Sequence, residues 1–281
     1  MVIKNQLLVI ALSIFIVHGT ILGNDSISIT YIANCGFLIE MDSHKIIVDG
    51  LFNRGHNKYP VPDTISQKQM ILNQPPFNDI DLILVTHIHE DHFNKNMVIQ
   101  SMMSNPSVKL VCPQQVIEKI KEDDAIYDKL KHRIIECTPD TFTSQLLNIG
   151  DIEIYACRLP HPGESHKNVQ NIAYLISMNG KTIFHSADID PLQINKYTGV
   201  RINEMDIDIG LLNEDFAKIE YAGLAKEFIN AKYNIAMHLT DSVAKGWLNS
   251  FKDKPDLFLN PFIFTQKRGK KVFYIDKMEY R

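Results

Sequence analysis

Thr86-His87-Ile88-His89-Glu90-Asp91-His92 comes straight after the apolar run Asp81-Leu82-Ile83-Leu84-Val85. The run has the length and content of a buried strand, so the polar cluster falls at a strand end. Three histidines and an aspartate within six residues offer four side chains of the metal-ligating type. Alternate strand side chains share a face, so the spacing predicts that His87 and His89 close on one ion. Past the strand that alternation lapses, and adjacent Asp91 and His92 are free to point together at a second ion. A solvated polar loop with chance histidines is the plain alternative. However, only 11 histidines occur in 281 residues, and three of them are in this stretch. It therefore predicts a binuclear metal site.

His-x-His-x-Asp-His after a strand resembles the motif of the metallo-β-lactamase superfamily of hydrolases. The resemblance implies further ligands at later strand ends. The chain offers them in order: His161 in Leu159-Pro160-His161-Pro162-Gly163, Asp188 in Phe184-His185-Ser186-Ala187-Asp188, and His238 in Ala236-Met237-His238. Order and approximate spacing agree over nearly the whole chain after its N-terminal segment. Ala187 stands where many relatives have glycine, a departure that leaves the following aspartate in place. Carried over residue by residue, the resemblance implies His87, His89 and His161 on one ion, Asp91, His92 and His238 on the other, and Asp188 bridging them. The implied fold is α/β, a four-layer αββα sandwich of two mixed β-sheets flanked by helices.

Composition is that of an ordinary globular protein, 45% hydrophobic and 22% charged. The net charge of -4, without a basic run, gives no electrostatic footprint for nucleic acid. Lys4, the apolar run from Leu7 to Val17 and then His18-Gly19-Thr20 follow the layout of a secretory signal peptide. Residues 1–23 are accordingly expected to be a signal, or else a retained anchor, and residues 24–281 the hydrolase domain. The short apolar run favours the cleaved signal and an exported protein, periplasmic or secreted. The four cysteines, Cys35, Cys112, Cys137 and Cys157, have no paired metal-type spacing and read as small buried apolar side chains.

Elsewhere the pattern predicts a strand over 27–32 and a hairpin of strands over 36–40 and 45–48. Asp49 follows, either as a turn residue or as support for a ligand. Residues 51–78 read as a long proline-containing loop, either a wall over the metal site or a surface insertion. A helix over 97–103, a strand over 108–111 and helices over 113–121 and 123–133 come next. The second half restarts with strands over 152–158, 172–177 and 182–185, the last two joined across Asn179-Gly180. An apolar run over 207–212, a helix over 221–232, a strand over 235–237, a helix over 243–251 and a closing strand over 270–275 complete it. Among the other histidines, His166 reads as a water-exposed loop residue and His185 as packing behind the ligands. His44, His56 and His132 read as surface residues.

The implied chemistry is hydrolysis. A hydroxide held between two cations is a nucleophile at neutral pH, since a metal lowers the pKa of its water from about 16 to about 7. Asp91 is also the candidate catalytic residue, orienting that water or carrying a proton. Zinc is expected, with manganese or iron as alternatives. Redox di-iron members of the superfamily place glutamate where this chain has His89, which leans towards hydrolysis of an ester-type bond, a phosphodiester, a lactone or similar. A mononuclear iron dioxygenase would leave Asp91, His92 and His238 without a paired role, and a non-catalytic metal-binding protein would leave the ligand set idle. Phe93 and Asn94 after the motif loosely resemble the branch of ascorbate-phosphate lactonases and lipid phosphodiesterases. That implies a small-molecule or lipid-like substrate, with no nucleic acid and no obligatory protein partner.

Overall fold

The structure is a computed structural model and describes residues 26–197, 202–216, 218–240, 242–244, 246 and 260–275. The chain opens with β1 (Ser26–Ala33), β2 (Gly36–Met41), β3 (His44–Val48), α1 (Thr64–Ile71) and β4 (Leu82–Leu84). It continues through α2 (Lys95–Ser104), β5 (Lys109–Cys112), α3 (Gln114–Lys121), α4 (Asp124–Leu130), β6 (Ile134–Glu136) and β7 (Ser144–Ile149). Next are β8 (Ile152–Arg158), β9 (Ile172–Met178), β10 (Lys181–His185) and β11 (Ile209–Leu212). α5 (Ile219–Phe228), β12 (Tyr233–Ala236), β13 (Pro261–Ile263) and β14 (Lys270–Tyr274) close it.

Apolar side chains on both faces of the strands dictate the layering, because each sheet then has two faces to cover. Ile46, Val48, Leu82 and Leu84 point between the sheets, where they meet Ile154, Tyr174 and Ile176 of the other sheet. Ile47 and Ile83 point outward onto Met70 of α1, Val98 and Met102 of α2 and Val116 and Ile120 of α3. The second sheet alternates likewise, with Ala173, Leu175 and Phe184 turned out against Ala225 of α5 and Ile229 just beyond it. Full burial of each such side chain contributes about 2 kcal/mol, so alternation pins both faces at once.

The sheets run β14-β1-β2-β3-β4-β5-β6 and β13-β12-β11-β10-β9-β8-β7. Both follow one plan. In the first, β14, β1, β2 and β3 pair antiparallel and β3 to β6 parallel. In the second, β7 to β10 pair antiparallel and β10 to β13 parallel. The C-terminal ends of β1, β3 and β4 therefore open at one end of their sheet, and those of β8, β10 and β12 at one end of theirs. The expected αββα sandwich is the observed fold.

The loop over 51–78 is corrected: it contains α1. Asp63 accepts backbone N–H bonds from Ile65 and Ser66, both at 3.0 Å, and starts the helix. Only Ser66 and Met70 of α1 are buried, so the helix has no apolar stripe to betray it. β6, β7 and β13 are additions to the expected strands. The helix expected over 221–232 begins and ends earlier, at Ile219–Phe228. Residues 1–25, on which the leader expectation falls, lie outside the described residues, as do most of those of the helix expected over 243–251.

Candidate metal centre

β4 ends at Leu84, so His87 and His89 lie beyond the strand and strand alternation is not what pairs them. A helical turn does that work: the N–H groups of His92 and Phe93 both bond the carbonyl of His89, at 3.0 and 2.9 Å. Asn94 then caps α2 by accepting from Met97 N–H at 3.1 Å. His87 Nε2 lies 3.0 Å from His89 Nδ1, and the His87 and His92 rings meet at a tilt with centroids 4.0 Å apart. Glu90 points away to Arg54, while His87, Asp91 and His92 are buried.

The remaining expected ligands arrive from the second sheet. Nε2 atoms of His92, His238, His161 and His87 lie 3.3, 3.3, 3.5 and 3.9 Å from Asp188 Oδ2. Asp91 Oδ2 lies 3.4 Å from His238 Nε2 and 3.8 Å from His92 Nε2. Two sets of ligand-type atoms result, one of His87, His89 and His161, the other of Cys35, His92, Asp188 and His238, each within 4.8 Å of one another. All seven sequence-predicted residues are thus brought together, Asp91 at the edge of the second set.

Outer partners aim the rings. His92 Nδ1 donates to Asp49 Oδ2 at 2.7 Å, and His161 Nδ1 to the Pro162 carbonyl at 2.9 Å. Thr86 Oγ1 spends its only proton on Asp49 Oδ2 at 2.6 Å, so it accepts from His87 Nδ1 at 2.9 Å. With Nδ1 protonated in all three, the Nε2 lone pairs are left facing Asp188. Asp49 is therefore a support of the ligands and not a bare turn residue. Positive backbone angles at the ends of β10 and β12, φ 51° at Ala187 and 58° at His238, turn Asp188 and His238 inward. That conformation strains a side chain with a Cβ, a cost that Ala187 carries here.

The buried Nε2 atoms of His92 and His161 have no hydrogen-bond partner, although Asp188 Oδ2 is near both. Orphaned, converging imidazole nitrogens beside carboxylates are what a divalent cation would satisfy, so the residues fit the group. Electrostatics agree. Burial opposes charge on Asp188, yet His238, His92 and His161 outweigh it and hold the carboxyl well below the usual range. Burial and the neighbouring His92 push His87 well down, and burial with His161 pushes His89 down to about 4. Carboxylate and neutral imidazole are the forms that bind metal. His92 departs from this: burial opposes its charge, but Asp188, Asp49 and Asp91 raise it well above the ordinary value, marking a place where positive charge is favoured.

Several neighbours escaped the sequence reading. The Tyr59 ring packs at a tilt against His238, centroids 4.1 Å apart, and its hydroxyl donates to Glu214 Oε1 at 3.2 Å; His56 Nε2 lies 3.4 Å from Asp91 Oδ1. Part of the 51–78 segment is thus a wall of the site. His166 is corrected too: its ring packs 4.9 Å from His89 and 4.7 Å from His161. His44 is not a lone surface residue, since it pairs with Asp81 and Asp151 at 3.3 and 3.0 Å. His185, buried as expected, donates to the Cys35 carbonyl at 2.9 Å. No spacing rule marks Tyr59 or Glu214, which reach the site only through the fold.

The chain is 15% identical to a metallo hydrolase of the archaeon Ignicoccus hospitalis over 89% of this chain and 100% of that one, with a TM-score of 0.65. A candidate metal-dependent hydrolase of Parabacteroides distasonis is 16% identical over 85% of this chain and 93% of its own, with a TM-score of 0.58. At such identities the likeness is one of fold. A candidate Rieske 2Fe-2S iron-sulfur protein of Mycolicibacterium smegmatis is 23% identical over 195 residues, 68% of this chain. The chain spans 32% of that relative's length. Residues 59–244, well over half of the chain and carrying all seven expected ligands, match the model of the beta-lactamase superfamily domain. The chain belongs to the metallo-β-lactamase superfamily.

Proposed function

We propose that the protein is a hydrolase that uses two metal ions, zinc in this reading, to cleave an ester-type bond such as a phosphodiester or lactone. His87, His89 and His161 would hold one ion and Asp91, His92 and His238 the other, with Asp188 available to both. The observation that carries this is the convergence of four imidazole Nε2 atoms on Asp188 Oδ2, within 3.3 to 3.9 Å. When bound, such ions polarise a substrate oxygen and acidify water.

The chain's own groups do the rest. Thr86 and Asp49 keep His87 and His92 in the tautomer that presents Nε2. Burial opposes charge on Asp91, but His92 and His238 hold its carboxyl well below the usual range, so it is an acceptor; Oδ2 faces His238 and Oδ1 faces His56, whose side chain is 54% exposed and leads to solvent. A cavity of about 500 Å³ lined by Met237 and Leu239, the chain neighbours of His238, with Tyr31, Ile263 and Phe264 and a polar side at Gln266 and Lys267, supports a substrate with an apolar, lipid-like group. Export rests on the leader-like run over 7–17 and belongs to the same proposal.

The test is metal analysis of the full chain after gentle purification, followed by a panel of chromogenic phosphodiesters, lactones and β-lactams with added zinc or manganese. Close to two ions per chain and turnover of one ester class are expected. A value near zero after reconstitution rejects the metal centre. One iron per chain with oxygen-dependent turnover favours the dioxygenase, and two ions without turnover favour a non-catalytic metal-binding protein.

A further inference from the structure

We propose that the thiol of Cys35 is a further ligand of the second metal ion, joining Asp91, His92 and His238 and lying with Asp188 in one group of ligand-type atoms. This rests on the two-ion reading above and deepens it by adding a soft ligand to a set that otherwise holds only nitrogen and oxygen. Cys35 Sγ lies 3.7 Å from Asp188 Oδ1, and His92 and His238 lie 3.3 Å from Asp188 Oδ2. Metal–sulfur bonds of about 2.3 Å and metal–nitrogen or –oxygen bonds of about 2.0 Å at tetrahedral angles give edges of about 3.5 and 3.3 Å. The imidazole edges, to Oδ2, have this length, and the sulfur edge, to Oδ1 of the same carboxylate, is about 0.2 Å longer. An independent observation points to the same place: His92 Nε2, fully buried, has no hydrogen-bond partner and faces into this group.

The backbone around Cys35 is tied to the ligands on three sides. Asn34, at φ 49°, donates from its amide to both the backbone and side-chain oxygens of Asp91, at 3.2 Å each. Its carbonyl accepts from His238 N–H at 3.4 Å, and the Cys35 carbonyl accepts from His185 at 2.9 Å. Gly36 leaves no slack, because a Cβ there would sit 2.8 Å from the Asp49 carbonyl. The β1–β2 turn is thereby clamped onto the loops that carry Asp91 and His238, and the thiol with it.

A small buried apolar residue is the alternative, and the other cysteines show what that looks like. Cys137 and Cys157 sit against the hydroxyls of Tyr174 and Tyr197, and Cys112 lies in the apolar layer beneath α3. Cys35 instead donates to Asp188 Oδ1, and burial with the charges of Asp188, Asp49 and Asp91 keeps the thiol protonated; a cation drawn to these carboxylates would displace that proton as it bound the sulfur. A thiolate in the set selects zinc over manganese or magnesium at that position.

The test uses the full chain and Cys35→Ser, each loaded with zinc and, separately, with cobalt(II). X-ray absorption of the wild-type zinc form is expected to show a sulfur neighbour at about 2.3 Å, and the cobalt form a thiolate-to-metal charge-transfer band. Both signals disappear in Cys35→Ser, whose affinity for the second ion falls more than tenfold while the first ion stays bound. Two ions and no sulfur in the wild type overturns the Cys35 assignment and leaves the two-ion reading standing, as does a sulfur signal that persists in Cys35→Ser. One ion per chain, with sulfur lost in Cys35→Ser, supports the thiol ligand and overturns the two-ion reading. No bound ion overturns both. Should Cys35→Ser fail to fold, the wild-type X-ray spectrum decides, since the other three cysteines lie outside the ligand sets.

Discussion

The two ends of the sandwich use the same residue types to opposite purposes. At one end the β2–β3 turn of the first sheet meets the β9–β10 turn of the second. Asp42 there accepts from Lys181 at 2.7 Å and Asn179 at 2.8 Å, and His44 stands between Asp81 and Asp151. At the other end Asp49, Asp91 and Asp188 are buried, and among the described residues no lysine or arginine pairs with them. Lys58, in the wall of the site, goes to Glu214 and Tyr59. An unpartnered imidazole nitrogen is found at both ends, His44 Nδ1 included, so it marks nothing by itself. His44 faces carboxylates 43% and 59% exposed, which water screens. Buried carboxylates without a basic partner, with imidazole lone pairs converging on them, are the distinction. One end is built for stability and the other holds negative charge for cations to come.

The comparison breaks if the metal end turns out to carry stability, so the sharpest variants are there. Asp188→Ala and His161→Ala should abolish hydrolysis and lose metal, exceeding the roughly 100-fold that loss of an outer partner costs. The urea midpoint of their metal-free forms should not fall. His166→Ala, measured beside them, should keep both ions and most activity despite its ring contacts. If it loses metal while His161→Ala keeps it, the ligand in the 160–167 loop has been misassigned.

Asp49→Asn sharpens the same end more gently. It weakens the acceptor of His92 Nδ1 and Thr86, and metal affinity should drop by about 10- to 100-fold. Competition with a chromogenic chelator measures it, and unchanged affinity would make Asp49 a structural residue only.

Lys181→Met addresses the far end and should leave metal content alone while costing about 2 kcal/mol of stability, between the values for exposed and buried pairs. Burial alone would raise the Asp42 carboxyl, but hydrogen bonds from Lys181 and Asn179 outweigh it and hold it below its ordinary value. A carboxyl depressed in the folded state stabilises above its unfolded pKa of about 3.9 and stops doing so as pH falls through the folded value. The gap between wild type and Lys181→Met in urea unfolding should therefore be full at pH 7 and shrink at pH 3. A gap independent of pH would mean that packing, and not the ion pair, joins the turns.

How legible each part was follows from how local its cause is. The stretch from His87 to His92 announces itself because four candidate ligands, three histidines and an aspartate, fall within six residues, and β8, β9 and β10 do so through their apolar runs. α1 stays hidden because a polar cap and two buried side chains hold it, with no periodic face. β6 and β7 are half-exposed strands at sheet edges, where alternation is weakest. His166 looks like any loop histidine until its ring is found against His89 and His161.

The sequence by itself determined the side-chain chemistry of the candidate site, the setting of its first four residues just beyond a strand and, through the resemblance, the residues that complete the candidate set. Ligand type and short spacing are carried by the chain and survive without any fold. Only the tertiary structure decided that Asp49 and Thr86 choose the histidine tautomers, that Tyr59 and His56 wall the site, and that Cys35 stands beside Asp188, 153 residues away. The physical reason is that a strand end specifies a direction, not a neighbour. The neighbours are set when two sheets of the same plan close over one apolar core and bring their open ends together.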